Sequence, residues 1–248
     1  MTLKGLRILN TRPSGQGHLL HLAITKAGGL SIDLPVLAIE PTSTGWIKHL
    51  PPLSQLHHAI FISTNAVTHF FAGIKQQGLV WPASIQITAI GKATAAALSH
   101  QNIHRYHMPS VADSEHLLQM PIFQDLDHQT LLLVKGVGGK MDLVPALQRR
   151  GGDVISTNVY RRGLPNIRDD HLKSIWQDDL VDMILLTSQQ AIHNLFALFE
   201  KDAHLWLRKK PCIVLSERIA ETARACGMQH VMVSSYDTIL SSLESRSS

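Results

Sequence analysis

The sequence predicts an α/β protein built from two similar domains, each with an open parallel β-sheet that is covered by helices. The first observation is an internal repeat, because moving the chain by 123 residues lays Ile8–Pro41 on Leu131–Leu164. The second is that an offset of 125 residues lays Phe61–Phe71 on Leu186–Phe196. The third is the alternation of short apolar runs with helical patterns, which is typical of βα units.

Composition favours a folded protein that acts on small molecules. The 248 residues include 44% hydrophobic and 17% charged residues, and the net charge is +4 with 15 histidines counted as neutral. This charge suits an anionic ligand, and no Lys/Arg run resembles a nucleic-acid-binding arm. The N-terminus lacks the apolar stretch of a signal peptide, no apolar run approaches the ~18–20 residues of a membrane span, and Cys212 and Cys226 form no disulfide framework. We therefore expect a cytoplasmic protein.

In the first half, apolar runs bounded by Gly, Pro and small polar residues predict the strands. These strands are Arg7–Thr11, Leu30–Leu34, Ala59–Ile62, Ile85–Ile90 and Ile103–Met108. Helical spacing and stop or cap residues predict helices over 19–27 before Gly28-Gly29, after Ser63, over Ala93–Leu98, and from Asp113 or Ser114 to Met120. Pro35–Pro41 is predicted as a connecting strand, and Trp46–Leu56 as a short helix that Pro51-Pro52 breaks.

The second half repeats the same order of elements. Strands are predicted at Leu131–Val134, Val154–Asn158, Met183–Leu186, Ile213–Leu215 and His230–Val233. Helices are predicted at Leu143–Arg150, Asp169–Gln177, Gln190–Phe199, Ile219–Cys226 and Thr238–Leu243. Open parallel sheets of this kind bind ligands at the carboxyl ends of their strands.

Four strand–helix turns are candidates for anion binding. Their residues are Ser63-Thr64-Asn65, Gly91-Lys92-Ala93-Thr94, Thr187-Ser188-Gln189-Gln190 and Ser216-Glu217-Arg218. A helix N-terminus offers free N–H donors and a partial positive charge, which suit carboxylates or phosphates. The same residues are also preferred as plain N-caps, so each turn has a structural alternative.

Two cations occupy equivalent positions of the repeat. Arg12 and Lys135 each follow a predicted strand by one step, as carboxylate partners or as solvated loop charges. The Gly136–Lys140 segment fails the Walker pattern because Met141 follows the lysine, and the dinucleotide pattern fails for the same residue. No nucleotide cofactor is expected from these motifs.

The histidines and the remaining motifs give no sign of a metal site or an acid–base pair. His18/His21 and His100/His104/His107 lack any supporting Cys or Glu pattern and are interpreted as surface residues. Tyr160 is the exception, since it lies in an extended run equivalent to Val36–Ile39. If these two runs connect the domains, its phenol donates a proton or hydrogen bond at the mouth of a cleft. The alternative is an aromatic side chain that packs on a linker strand.

These segments together resemble the uroporphyrinogen-III synthase family. The resemblance covers nearly the whole chain through ILNTRPSGQ, IFISTNAVTHFF, ITAIGKATAAAL, LLLVKGVGGK, LLTSQQAIHNL and IVLSERIA, in that order. It implies two doubly wound, flavodoxin-like domains that are joined by a two-stranded β-ladder acting as a hinge. The first domain would be discontinuous, with residues 1–36 and 164–248, and the second would hold residues 42–157. The ladder would comprise residues 37–41 and 158–163.

The resemblance also implies a reaction. Such enzymes cyclise the linear tetrapyrrole hydroxymethylbilane to uroporphyrinogen III, with inversion of ring D and loss of water, and they use no metal or organic cofactor. Tyr160 matches the tyrosine that assists hydroxyl loss, and Thr94, Ser63 and Ser188 match residues of the substrate-binding turns. The full set of expected substrate-binding residues is Arg12, Ser63, Thr64, Asn65, Thr94, Lys135, Ser188, Gln189 and Ser216. Ile219 stands where some members carry threonine, which puts a side-chain contact there in doubt.

Other function classes stay open on the sequence alone. Two hinged domains without a cofactor also describe a cytosolic binding or sensor protein for an anionic small molecule. A nucleotide-using α/β enzyme is disfavoured by the failed glycine motifs. The family resemblance further implies a monomer, and the charge pattern and apolar-run lengths predict no nucleic-acid or membrane partner.

Overall fold

The structure is a computed structural model, and it describes residues 3–13, 15, 17–139, 142–235 and 239. The chain divides into two compact units. The terminal unit comprises Met1–Ala38 with Gly163–Ser248, and the central unit comprises Ile39–Arg162.

The strands in chain order are β1 (Arg7–Asn10), β2 (Leu30–Asp33), β3 (Ala38–Pro41), β4 (His58–Phe61), β5 (Gln86–Ala89), β6 (Thr130–Gly136), β7 (Asp153–Gly163), β8 (Met183–Leu186), β9 (Cys212–Val214) and β10 (Val231–Val233). The α-helices are α1 (His18–Lys26), α2 (Thr64–Gln76), α3 (Lys92–Ser99), α4 (Ser114–Gln119), α5 (Leu143–Gln148), α6 (Asp169–Gln177), α7 (Gln189–Leu198), α8 (His204–Lys209) and α9 (Glu217–Ala225). Short 3₁₀ helices lie at Thr44–His49, Leu53–Gln55, Pro121–Phe123 and Lys201–Ala203. This is an α/β fold.

The terminal unit contains a parallel sheet in the order β10-β9-β8-β1-β2. Both faces of this sheet are buried, because successive residues of one strand enter different clusters. In β8, Ile184 and Leu186 pack into one hydrophobic cluster, and Met183 and Leu185 pack into another. Such strands read as unbroken apolar runs, which is why the sequence predicts β8 with the bounds that the structure shows.

The central unit contains a sheet in the order β3-β7-β6-β4-β5, in which the β7-β6, β6-β4 and β4-β5 pairs are parallel. Its strands also bury both faces. Leu132 and Val134 of β6 join one cluster, whereas Leu131 and Leu133 join the other. The two faces are therefore covered as a parallel sheet requires.

Helices begin and end where local chemistry dictates. Ser63 and Ser188 cap α2 and α7, and each hydroxyl accepts a hydrogen bond from the third following backbone N–H at 3.1 Å. This interaction satisfies one of the free N–H groups of the first turn. Past the ends of α1 and α5, Gly28 and Gly151 adopt φ of +82° and +92°, a left-handed conformation that favours glycine.

The internal repeat is visible in the sheets. The offset of 125 carries β4 onto β8 and α2 onto α7, and the offset of 123 carries β6 onto β1. The neighbouring strands β7-β6-β4-β5 of the central unit therefore correspond to β2-β1-β8-β9 of the terminal unit. Each sheet takes strands from both halves of the sequence, an exchange that the repeat alone does not predict.

Several sequence predictions need correction. Ile103–Met108 forms no strand, because only His107 bridges to Thr88. Trp46–Leu56 contains two 3₁₀ helices rather than one short α-helix, since Pro51-Pro52 removes backbone donors and separates them. Lys135 lies inside β6 and not in a loop past it. Helix α8 was not predicted.

Among the described residues, no helix is long and apolar enough to cross a membrane. The helix predicted at Thr238–Leu243 lies outside the described residues except for Ile239. Lys140 and Met141, which end the rejected phosphate-loop pattern, also lie outside them.

Candidate functional site

A cavity of about 410 Å³ lies in the central unit at the carboxyl ends of β4, β5 and β6. Its lining follows these strands directly, since Ile62 and Ser63 come after β4, Ile90 comes after β5, and Gly136 ends β6. The remaining lining residues are Ala112, Asp113, Ser114, Val137, Gly138, Gly139, Leu143, Tyr160 and Arg162. Open parallel sheets bind their ligands at the carboxyl ends of their strands, so this cavity is the candidate site of the central unit.

Tyr160 is the central side chain of this cavity. It belongs to β7, is only 4% exposed, and packs in the same hydrophobic cluster as Ala66 and Val134. Its hydroxyl oxygen lies 3.2 Å from Ser63 Oγ, and its ring stacks on the His69 imidazole with centroids 5.8 Å apart. Tyr160 therefore combines both alternatives of the sequence, a packed aromatic ring and a hydroxyl group next to polar partners.

Gly136 makes room for the Tyr160 ring. A Cβ atom built on Gly136 would lie 2.5, 2.7 and 2.9 Å from three atoms of that ring. Carbon atoms in ordinary contact are about 3.5–4.0 Å apart, so no larger residue fits here without moving the tyrosine. The β6–β7 register also shifts between Lys135 and Gly136, which places Gly136 opposite Tyr160.

Ser63 connects the tyrosine to a helix N-terminus. Its Oγ accepts a hydrogen bond from Ala66 N at 3.1 Å and remains within hydrogen-bond distance of the Tyr160 hydroxyl. Because one lone pair of Ser63 is engaged by the backbone N–H, its own hydrogen is available for the phenolic oxygen. The positive end of the α2 dipole lies at this helix N-terminus, where it favours a negatively charged group.

His69 packs its imidazole ring against Tyr160 and brings no positive charge to it. Burial lowers the pKa of His69, so the imidazole remains neutral at physiological pH. Its ring is nearly parallel to that of Tyr160, with an interplanar angle of 28°. Sequence reasoning missed this residue, because a position six residues after Ser63 does not share a helix face with it.

Asp113 and Arg162 bring opposite charges to the cavity lining, and both were missed as site residues. The Asp113 carboxylate caps α4, and the His116 backbone and ring nitrogens donate to it at 2.8 and 2.8–2.9 Å. These hydrogen bonds, led by that of the backbone N–H, hold the pKa of Asp113 below its ordinary value. Arg162 was detectable, because strand alternation puts residues 160 and 162 of β7 on one face.

The other predicted residues of the central unit surround the cavity without lining it. Lys135 is 4% exposed, and its ammonium group lies 3.5 Å from the Gly139 carbonyl oxygen, next to the lining. Thr94 is buried within α3, whereas Thr64 is exposed at the start of α2 and is followed by Asn65. Of the six residues predicted here, the cavity brings together Tyr160 and Ser63.

In the terminal unit, Arg12, Ser188, Gln189 and Ser216 all follow the carboxyl ends of strands in one sheet. Ser188 caps α7, as described above. Gln189 is engaged between helices, since its Nε2 donates to Thr222 Oγ1 at 2.7 Å. Ser216 begins α9 without a side-chain cap hydrogen bond.

Ile219, which stands where some family members carry threonine, is part of the hydrophobic core. Its side chain is 8% exposed and packs in a hydrophobic cluster of the terminal unit with Ala220 and Ala223. The position therefore presents no polar side chain, and the polar groups of this turn are the side chains of Ser216, Glu217 and Arg218 and the backbone N–H groups of α9.

A polar cluster at the ends of β1 and β2 escaped the sequence analysis. Asp33 accepts hydrogen bonds from Asn10 Nδ2 at 3.0 Å and Ser31 Oγ at 2.8 Å, and its other oxygen lies 2.7 Å from His21 Nδ1. The strand register pairs Asn10 with Asp33, which brings them together. A surface assignment of His21 was therefore incomplete, because its ring is anchored by a carboxylate.

None of this geometry builds a metal centre. Within the described part of the chain, no three His, Cys, Asp or Glu side chains come together in a way that could hold a metal ion. The polar groups that line the cavity are instead hydroxyls, one carboxylate, one guanidinium and the backbone of the Gly136–Gly139 segment.

Comparison with known proteins identifies the family. A family model described as "Uroporphyrinogen-III synthase HemD" matches residues 20–244. The chain belongs to the uroporphyrinogen-III synthase family. The uroporphyrinogen-III synthase of Escherichia coli K12 is 28% identical over 92% of this chain and 94% of its own length. The synthase of Synechococcus elongatus is 26% identical over 90% and 86% of the two chains.

Solved structures agree with this assignment at the level of the fold. A mutant uroporphyrinogen III synthase from Thermus thermophilus has a TM-score of 0.58 at 19% identity and covers 97% of this chain and 96% of its own. The uroporphyrinogen-III synthetase of Helicobacter pylori 26695 has a TM-score of 0.58 at 14% identity, with coverage of 97% and 99%. The α/β architecture is therefore that of this family.

Proposed function

We propose that this chain cyclises hydroxymethylbilane to uroporphyrinogen III, with inversion of ring D and loss of water. The observation that carries the proposal is the family model, which spans most of the chain from residue 20 to residue 244. The cavity in the central unit supports it, because Tyr160 and Ser63 meet at the carboxyl ends of the strands, where parallel sheets bind their ligands. The proposal includes no metal or organic cofactor.

In this reaction, Tyr160 is the proposed general acid. Its hydroxyl donates a proton to the hydroxyl group that leaves the substrate as water. The Ser63 hydroxyl then donates to the phenolic oxygen, and the N-terminus of α2 stabilises the charge on it. A proton released from the pyrrole carbon on ring closure restores the phenol and balances the dehydration.

The substrate-binding set of the sequence analysis remains part of the proposal. It comprises Arg12, Ser63, Thr64, Asn65, Thr94, Lys135, Ser188, Gln189 and Ser216. Helix N-termini and cations suit a substrate that carries several carboxylates. Because Thr94 is buried, its contribution comes from the first turn of α3 rather than from an exposed hydroxyl. Arg162 joins the set as a cation in the cavity lining.

The finer architecture is proposed on the same basis. The strand order of the terminal unit corresponds to the flavodoxin-like order 2-1-3-4-5, which supports flavodoxin-like domains. The proposed domains comprise residues 1–36 with 164–248 and residues 42–157, and residues 37–41 and 158–163 form the hinge ladder between them. A cytosolic monomer that acts without a nucleic-acid partner completes the proposal.

A coupled assay tests the activity. Hydroxymethylbilane is generated in situ, the protein is added, and the oxidised products are separated as uroporphyrin isomers. An excess of type III over the spontaneous type I isomer is the expected result. Type I alone, from protein whose fold is verified by circular dichroism, would favour the alternative of a binding or sensor protein.

The Tyr160→Phe variant tests the residue assignment in the same assay. We expect turnover to fall about 10²-fold, at the lower end of general-acid effects, while KM changes much less. The matched control is Tyr106→Phe, which removes a hydroxyl from an exposed tyrosine of the same unit. Equal turnover of Tyr160→Phe and the control would remove the catalytic role of Tyr160.

A further inference from the structure

The failed strand prediction at Ile103–Met108 coincides with a gap beside the sheet of the central unit. This segment runs alongside β5, which is the edge strand of the sheet. Its backbone is hydrogen-bonded to β5 through His107 alone, whose N–H donates to the Ile87 carbonyl at 2.7 Å and whose carbonyl accepts from Ala89 N at 2.9 Å. Residues before His107 have the composition of a strand and yet do not pair with β5.

The gap is a cavity of about 760 Å³. It is lined by Trp81, Pro82, Ala83, Ser84, Ile85, Gln86, Ile87, Asn102, Ile103, His104, Arg105, Tyr106 and His107. These residues include the start of β5, whereas Ile90, just past its end, lines the candidate active-site cavity. The two cavities therefore lie toward opposite ends of the same strand and share no lining residue.

The walls of this edge cavity have the size and composition of a small-molecule site. Sites for organic ligands enclose about 300–1,000 Å³ and are mainly apolar with a few polar groups. Ile85 and Ile87 form a buried floor, and Trp81 is fixed by edge-on contacts with Phe70 and Phe71 at 5.3 and 5.6 Å. Tyr106, which is 36% exposed, supplies a second aromatic wall.

The charges of the edge cavity have one sign. Arg105 is exposed in the lining, with His104 and His107 on either side of it in sequence. No Asp or Glu is among the residues that line the cavity. A guanidinium group beside flat apolar walls selects a ligand with an anionic group and an aromatic body.

We propose that the edge cavity is a second binding site, which takes a flat, apolar organic anion such as an aromatic carboxylate or sulfonate. The aromatic body lies between Trp81 and Tyr106 over the isoleucine floor, and the anionic group faces Arg105. The site is independent of the proposed catalysis, because none of its residues lines the cavity of Tyr160.

Fluorescence titration of the full chain with 8-anilinonaphthalene-1-sulfonate tests this proposal. We expect saturable binding that Arg105→Gln weakens about five-fold, which is the upper end of what an exposed ion pair contributes. The control is Arg149→Gln, which removes an exposed cation of the same unit away from the cavity and leaves the affinity unchanged. Competition by 2-naphthoate, but not by neutral 2-naphthamide, confirms selection of the anion.

A second pair of variants changes Ala83, an exposed residue of the cavity lining. Ala83→Glu introduces a carboxylate into the cavity and should abolish binding, whereas Ala83→Gln adds the same bulk without charge and should retain most of it. Equal affinities for these two variants, or for Arg105→Gln and the wild type, would overturn the proposal. Loss of the probe on Arg162→Gln alone would place the probe in the candidate active site instead.

A second copy of the chain is the rival occupant of the edge cavity, because an edge strand is a template for pairing. Sedimentation at increasing protein concentration distinguishes a small anion from a second copy of the chain. A monomer that binds the probe supports the small-anion site. A dimer that dissociates in Ala83→Glu would instead assign the edge cavity to self-association and would overturn the proposal.

Discussion

Replacement of Gly136 by alanine tests how closely the proposed chemistry depends on the fit of Tyr160 against β6. The added Cβ would lie 2.5 Å from Tyr160 Cζ, about 1 Å inside the ordinary contact distance. The ring must therefore move by about that amount, and a shift of this size is enough to take the tyrosine hydroxyl out of hydrogen-bond distance of Ser63 Oγ, now 3.2 Å away. We expect turnover to fall about as far as in Tyr160→Phe, and stability to fall by about 1–3 kcal/mol through overpacking.

The matched control is Gly163→Ala, at the last residue of β7 and three residues after Tyr160. A Cβ at Gly163 meets no atom within 4 Å, so this variant should keep wild-type turnover and stability. The assays are formation of the type III isomer and urea unfolding. Wild-type turnover of Gly136→Ala would refute the reasoning, because the hydrogen bond to Ser63 would then be dispensable.

A double-mutant cycle separates the clash from any other effect of the alanine. In a Tyr160→Leu background the aromatic ring is absent, so Gly136→Ala should lose most of its effect on the free energy of unfolding. The same destabilisation in both backgrounds would show that the cost arises in β6 itself. This measurement remains informative even where the single variant is too unstable for kinetics.

Three further predictions concern stability. Gly73→Ala places a Cβ 2.6 Å from Trp46 Cζ2, and this clash outweighs the gain in helix propensity. The free energy of unfolding in urea should fall by about 1 kcal/mol, and an unchanged unfolding midpoint would contradict this. The hydrogen bond from Arg7 holds the pKa of Asp182 below its ordinary value. The stabilisation of the fold by this ionised carboxylate is therefore complete above the ordinary Asp pKa and is lost as pH falls through the lowered pKa. In urea unfolding, Asp182→Asn should destabilise by about 1 kcal/mol at pH 7, after allowance for solvent screening, and by less in acid. Burial lowers the pKa of His58, so stability falls as pH drops through the ordinary His pKa toward the lowered one, and His58→Gln should flatten that slope relative to wild type.

Local signals predicted much of the fold. The apolar run of β8 and the helix α6 have the bounds that the sequence predicts, because buried parallel strands and amphipathic helices have distinct periodicities. Ser63 and Ser188 were expected at helix starts, and both act as N-caps. These features depend on residues within a few positions of one another.

Features that depend on distant residues were less predictable. Ile103–Met108 has the composition of a strand, but pairing requires a complementary edge, and β5 accepts it only at His107. Lys135 reads as a loop cation from its charge, and it is buried because β6 extends through it to Gly136. The approach of Gly136 to Tyr160 arises from the β6–β7 register, which no local pattern encodes.

The repeat shows which parts of the candidate site are structural and which are specialised. Ser63 and Ser188 are equivalent and cap their helices with the same geometry, so capping alone is the common property of the two copies. Tyr160 and Gly136 instead correspond to Leu37 and Pro13 in the first copy. The aromatic hydroxyl and the glycine that accommodates it therefore occur as a pair in one copy only. Since a glycine without the ring would leave a void, and a ring without the glycine would clash, the two positions are coupled, and this coupling supports a specific role for Tyr160.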